Sequence, residues 1–236
     1  MATASVDTWK PNDGDVVTLL RHPQTANPTN PLGRTSLVLP GRVSSRKLLL
    51  LSVLSKDSRG IAAHVADLCA RRGVKIAKCF GAKALTGQGS FFEVVAGDGH
   101  EDALVQLQPE LDRDDTAFGS LPPLVPDRMF ELKVKVHERE DGHDEDDVAL
   151  EILLRDLFTL LAKSGVNLTR FDAQSADAEL SLGLLAEAAA DLETPKGVDV
   201  KSLHYQLRDK CPRRTEVAMH ELYARSEPYS AVLYKD

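Results

Sequence analysis

KLLLLSVLSKDSRGIAAHVADLCARRGVKI, residues 47–76, reads as a strand, a polar loop, an amphipathic helix, a glycine stop and a new strand. Lys47–Leu54 is apolar at consecutive positions, the pattern of a strand covered on both faces. Asp57-Ser58-Arg59-Gly60 follows as the loop. Ile61, Val65, Leu68 and Cys69 then recur with the helical period over Ile61–Arg72, so they share one face. Asp57 or Ser58 is placed to cap the helix start, and Gly73 supplies the left-handed backbone that ends it. Val74-Lys75-Ile76 opens the next strand.

The same order returns in MFELKVKVHEREDGHDEDDVALEILLRDLFTLLAKSGVNL, residues 129–168. Phe130, Leu132, Val134 and Val136 alternate with Glu131, Lys133 and Lys135, which predicts a strand with one dry face. An acidic loop, Glu138–Asp147, leads into a helix over Val148–Ser164. Its stripe is Leu150, Leu153, Leu154, Leu157, Phe158 and Leu161, and Gly165 ends it before Val166-Asn167-Leu168. Repetition at this scale decides the fold.

Each copy continues in the same way. In the first, Val74–Lys83 and Ser90–Val95 flank the turn Leu85-Thr86-Gly87-Gln88-Gly89. A weaker helix over Glu101–Leu111 and a short strand over Thr116–Leu121 follow. In the second, Val166–Gln174 and Glu179–Ala186 form the hairpin. Asp199 caps a helix bearing Val200, Leu203 and Leu207, and Thr215–Tyr223 closes the unit. The order β-α-β-β-α-β is the split ferredoxin-like arrangement. The expected class is therefore α+β, with two ferredoxin-like units and antiparallel sheets behind a largely irregular leader.

The predicted division is a Pro-rich leader over residues 1–46, units over 47–126 and 127–223, and a tail over 224–236. The leader holds five of the twelve prolines, with Val16–Leu20 and Ser36–Leu39 as its strand-like pieces. The leader or the neighbouring repeat is expected to cover the outer face of Lys47–Leu54. The longest apolar run, Leu48–Leu51, is far short of the ~20 residues that span a bilayer. A net charge of −7 weighs against nucleic acid, whose phosphates are bound by Lys and Arg. Arg71-Arg72 and Arg213-Arg214 read as solvated helix ends. Cys69, Cys79 and Cys211 lack CxxC spacing and predict reduced thiols in a cytoplasmic setting.

The residues around both loops resemble the ACT-domain family. Asp57-Ser58-Arg59-Gly60-Ile61 stands where that family commonly has Asp-Arg-Pro-Gly-Ile, followed by Arg72-Gly73-Val74 and a hairpin ending in Thr86–Phe92. In the second unit, Leu157–Leu168 carries the Gly-Val-Asn-hydrophobic signature. The layout is similar to the glycine cleavage system regulatory proteins, which are two ACT units and little else. The resemblance implies a non-catalytic regulator that binds an amino acid where the units meet and modulates a partner protein, with homodimers as a further expectation. Carried over by position, the ligand-binding candidates are Asp57, Ser58, Arg59, Gly60, Ile61 and Asn167. Ser58-Arg59 departs from Arg-Pro, Lys75 stands where Asn is common, and the second unit has no comparable loop. A module of the same fold that docks or dimerises without ligand is the alternative.

The residues themselves make parts of this sensible. A glycine at a helix start lets a ligand approach the backbone, and the exposed N–H groups there suit a carboxylate. Asn offers both a donor and an acceptor. Other chemistry fits less well. His137, His143 and the acids between them match neither zinc nor calcium spacing, so no metal is expected. Gly87-Gln88-Gly89 and Gly97-Asp98-Gly99 lack the phosphate-cradle pattern and read as turns. Cys69 lies on an apolar stripe, His64 and His204 are expected at helix margins, and no cofactor or enzyme motif stands out. The Thr86–Phe92 hairpin also resembles the regulatory part of formyltetrahydrofolate deformylases, yet a second small unit begins after residue 126 and leaves no room for a catalytic domain. The architecture expected is two halves pressed together around a polar crevice, and a single continuous sheet is taken to remove that site.

Overall fold

A computed structural model describes residues 35–43, 46–56, 60–83, 89–97, 99–100, 127–138, 149–175, 183–222 and 229–235, with helical backbone also at 102, 103, 106, 107 and 110. Its strands are β1 (Thr35–Val43), β2 (Arg46–Lys56), β3 (Ile76–Lys83), β4 (Gly89–Ala96), β5 (Arg128–His137), β6 (Asn167–Ser175), β7 (Leu184–Thr194), β8 (Thr215–Glu221) and β9 (Ser230–Lys235). Three full helices are described: α1 (Ile61–Arg71), α2 (Leu150–Lys163) and α3 (Val200–Lys210).

The nine strands among the described residues join one sheet in the order β1-β2-β4-β3-β6-β7-β5-β8-β9. The pairings are antiparallel throughout. The separate sheets expected from the sequence are therefore corrected to a single continuous one. The physical reason lies in the edges. β3 and β6 would each present unpaired backbone groups at the margin of its half, and pairing one with the other satisfies both. Lys78–Ala82 meets Gln174–Arg170 across this join.

The join lies on a local twofold axis. Gly73 and Gly165 both hold positive φ, at 64° and 77°. The helix ends preceding them carry the same bonds: Val74 N–H donates to the Cys69 carbonyl, and Val166 N–H to that of Leu161. Each strand then shows a register shift in its first residues, between Ile76 and Lys78 and between Leu168 and Arg170. Each of these pairs is 92 positions apart, and Phe80 is paired with Asp172, its own counterpart at that spacing.

From β5 to β8 the chain runs β-α-β-β-α-β in the sheet order β6-β7-β5-β8. In the first half β4 lies between β3 and β2, as β7 lies between β6 and β5. The place beside β2 is taken by β1, which contains the strand-like Ser36–Leu39 of the leader and extends it to nine residues. It covers the edge of β2, not its face. The expected strand Thr116–Leu121 and the strand-like Val16–Leu20 lie outside the described residues, as does the turn at 84–88.

α1 and α2 pack side by side over the join. The predicted stripe of α1 is buried, but so are Ala62, Ala63, His64 and Ala66. A helix flanked by a second helix as well as a sheet buries two faces, which a single stripe does not reveal. The α2 stripe is buried as expected, together with Glu151 and Ala162. Asp199 caps α3, its carboxylate accepting from Ser202 N–H at 3.0 Å.

Several boundaries differ from expectation. The return strand predicted at Glu179–Ala186 is Leu184–Thr194, and the turn near Ser175-Ala176-Asp177 falls mostly outside the described residues. Its alanines carry little strand preference, yet as a central strand between β5 and β6 it gains pairing on both edges. The tail contains β9, paired along β8. Lys235 holds it in place by donating to the Asp209 carbonyl at 2.8 Å and to that of Cys211, at the C-terminal end of α3. His204 and His64 are not marginal: both are buried.

Candidate functional site

A crevice opens in the helix layer above the join. The first turn of α1 supplies Gly60, Ile61, Ala62 and Ala63, and the start of β6 supplies Val166, Asn167 and Leu168. Phe158, Leu161 and Ala162 of α2 form one wall, and Phe92 of β4 contributes from below. Gly60 and Asn167, more than a hundred residues apart in sequence, thus line one space. A continuous sheet does not remove the crevice, because the crevice is built by helices and strand ends above the sheet. Its character is corrected, however: the walls are mainly apolar rather than polar.

Gly60 adopts φ 83°, a left-handed conformation that other residues enter at a cost, and it is the residue at which α1 begins. Gly60, the residue at the N-cap, has no side chain to offer, and the predicted capping by Asp57 or Ser58 falls on residues outside those described. The Gly60 carbonyl accepts from His64 N–H at 2.9 Å. The first N–H groups of α1 therefore stand at the crevice with the positive end of the helix dipole. Asp57, Ser58 and Arg59 lie outside the described residues.

Asn167 is 5% exposed. Its Nδ2 donates to Glu193 Oε2 at 3.2 Å, and Lys83 Nζ approaches the same oxygen at 3.5 Å. One of the two amide hydrogens of Asn167 is thereby committed, and the other hydrogen and the carbonyl oxygen are what it can offer a guest. Glu193 and Lys83 were not legible as site residues. Glu193 reaches Asn167 only because the β6–β7 register sets them opposite, and Lys83 arrives from the other half.

Three aromatic rings brace the floor. Phe171 stacks on Phe92 with centroids 5.7 Å apart and meets Phe158 at 5.0 Å, tilted by 59°. Such pairs stabilise a core beyond the area they bury. The volume of the crevice is about 20 Å³, roughly what one water needs, ~10–15 Å³ on the same measure. A larger guest therefore requires the helices or the Phe92 and Phe158 rings to part.

The cysteines are unsuited to nucleophilic work. Cys69, Cys79 and Cys211 are all buried and free. Burial pushes the Cys69 and Cys211 thiols up to about 12 and raises that of Cys79 as well, away from the thiolate that reacts. Among the described residues, no group of three His, Cys, Asp or Glu could hold a metal ion, and no helix is long and apolar enough to cross a membrane. Of the acidic loop, His137 and Glu138 are described, and 139–148 are not.

No family model matches the chain, and no curated protein matches it. Among solved structures, an aspartate kinase from Synechocystis is similar at 12% identity over 75% of this chain, with a TM-score of 0.40. This chain spans about a third, 32%, of that kinase. A protein of unknown function from Galdieria sulphuraria is similar at 15% identity over 74% of this chain and 97% of its own, with a TM-score of 0.31. A protein assigned as a glycine cleavage system transcriptional repressor is similar at 15% identity over 70% of this chain and 90% of its own, with a TM-score of 0.28. Identities of 12–18% and TM-scores of 0.26–0.40 do not define a family for this chain.

Proposed function

We propose that the chain is a non-catalytic regulatory protein of two ferredoxin-like, ACT-like units that senses an amino acid at their seam and passes the change to a partner protein. The single observation that supports this is the shared crevice of Gly60, Ile61 and Asn167. In this reading the guest carboxylate faces the first turn of α1, where helix N–H groups and the dipole favour negative charge. The guest ammonium faces the Asn167 carbonyl oxygen, with the Glu193 carboxylate behind it. The apolar rings take the side chain. Entry parts α1 from β6 and α2, so bound and free chains differ in how the two halves meet. That difference is what a partner reads, since a ligand shifts an equilibrium only by its unequal affinity for two states. Control of amino-acid metabolism or of transcription in the cytoplasm fits the resemblance to glycine cleavage regulators.

A thermal-shift screen of the twenty amino acids tests this directly. A guest that binds only the folded state raises the melting temperature, by roughly 2.7 kcal/mol of added stability at a hundred times its Kd. No shift with any amino acid at millimolar concentration overturns the reading.

The small volume of the crevice supports the second reading, a docking or dimerising module without ligand. Light scattering separates the two: a ligand-independent dimer with a silent amino-acid screen favours the module, and a strict monomer counts against it.

A further inference from the structure

The twofold relation that passes between Phe80 and Asp172 gives the crevice a twin. Leu168, which lines the crevice, corresponds to Ile76 on β3, and the first turn of α1 corresponds to the interior of α2. The two helices end at matching residues, Arg71 and Lys163, but α1 has 11 residues and α2 has 14. The extra turn of α2 is Leu150-Glu151-Ile152, whose counterparts in sequence, 92 positions earlier, precede the start of α1 at Ile61. From that turn Glu151 reaches across the join: its Oε2 accepts from Ile76 N–H at 3.2 Å. Glu151 is 6% exposed, a rare state for a carboxyl group unless it is paired or bonded.

The geometry points to Glu151 as a built-in occupant of the twin site, a carboxyl group held on the N–H that begins β3. The open crevice, whose corresponding N–H belongs to Leu168, then takes a carboxyl group from a free small molecule in the same way. One chain accordingly offers one open site, not two, and the guest is a carboxylic acid anchored by Leu168 N–H beside the first turn of α1. The half of this inference that concerns the open crevice rests on the sensing reading. The half that concerns Glu151 does not, because it follows from a bond within the chain.

Propionate reproduces the three carbons of a glutamate side chain, carboxyl included, and serves as the probe. In Glu151→Ala the twin site is emptied, so propionate raises the melting temperature of this variant by about 3–5 °C at ten times its Kd. It also shifts the Ile76 amide resonance in a nitrogen-15 spectrum. In the wild-type chain Ile76 stays still and the Leu168 amide moves. Glu151→Gln keeps the volume and an acceptor oxygen, so Ile76 remains protected from hydrogen exchange and does not respond to propionate. Should Glu151→Ala fold poorly, Glu151→Gln still decides the matter, since rapid exchange at Ile76 in that variant overturns the role of Glu151. An Ile76 amide unmoved by propionate in a folded Glu151→Ala chain overturns it too. A Leu168 amide that moves in neither chain overturns the carboxyl assignment of the open crevice. A rescued Glu151→Ala chain beside a silent amino-acid screen removes the sensing reading alone.

Discussion

Gly81 lies opposite Phe171 where β3 pairs with β6, and the ring occupies the space a side chain at Gly81 would need. A Cβ there would fall 2.7 Å from Phe171 Cζ and 2.8 Å from Phe92 Cδ1. Phe171 has little room to yield, since Phe92 and Phe158 hold it on two sides. Gly81→Ala is expected to cost about 1–3 kcal/mol, the usual range for overpacking a filled core. Urea unfolding measures it, and a cost below ~0.5 kcal/mol would mean that the rings rearrange freely.

Filling the crevice separates its role from its stability. Ala162 is buried on its α2 wall. Ala162→Leu places three more carbons in a space with room for little more than a water. We expect the chain to remain folded and any amino-acid thermal shift to disappear. Asn167→Ala should weaken the same response and cost roughly 1 kcal/mol for the lost bond to Glu193. A response that survives both changes places the binding elsewhere.

His204 is fully buried between α3 and β8. Its Nε2 lies 2.9 Å from the Val217 carbonyl, which can only accept, so Nε2 carries the proton. Nδ1 is then the acceptor for the Tyr229 hydroxyl at 2.8 Å. Burial lowers the pKa of this imidazole, the Val217 bond opposing it, with His220 and Arg208 adding to the lowering. The unfolded chain therefore binds the proton more readily. Stability is full above the ordinary histidine value near ~6.5 and declines as pH falls through the folded one. Melting temperature against pH should flatten in this window for His204→Gln, and an unchanged slope would assign the effect to another group.

Arg128 grips Glu221 with two bonds, 2.8 and 2.6 Å long. Glu221 also accepts from Tyr229 N–H at 3.0 Å, fixing the chain as it enters β9. The hydrogen bond from Arg128 holds the Glu221 carboxyl below its usual range. Its contribution is present above the unfolded value near ~4.3 and is lost as pH falls through the lower folded one. Glu221→Gln is expected to cost about 2 kcal/mol, less than the ~3–5 for a fully buried pair, because Arg128 keeps part of its side chain in water. It should also speed hydrogen exchange along β9, whereas Glu131→Gln, an exposed pair with Lys133, should do neither.

The legible part of the fold was local. The α2 stripe, the stops at Gly73 and Gly165, and the alternation of Phe130–Val136 each depend on neighbours within a turn or two, so sequence spacing reports them. Leu184–Thr194 was misplaced because its alanines are strand residues only by virtue of partners on both sides. Gly60, Ile61 and Asn167, which line the crevice, were named through the resemblance. Glu151, Glu193 and Phe171 were not, since nothing in their neighbourhoods marks them as parts of a site.

The amino-acid order by itself determined that this chain repeats a strand, helix and strand, where α1 and α2 stop, and which stripe of α2 is apolar. Those follow from propensity and periodicity, which act over a few residues. Only the tertiary structure decided that the halves share one sheet, that the crevice sits above its join, and that Glu151 fills the corresponding place. These outcomes depend on strand register and on which edge groups find partners, interactions between residues some ninety positions apart whose energies are set once the chain is folded.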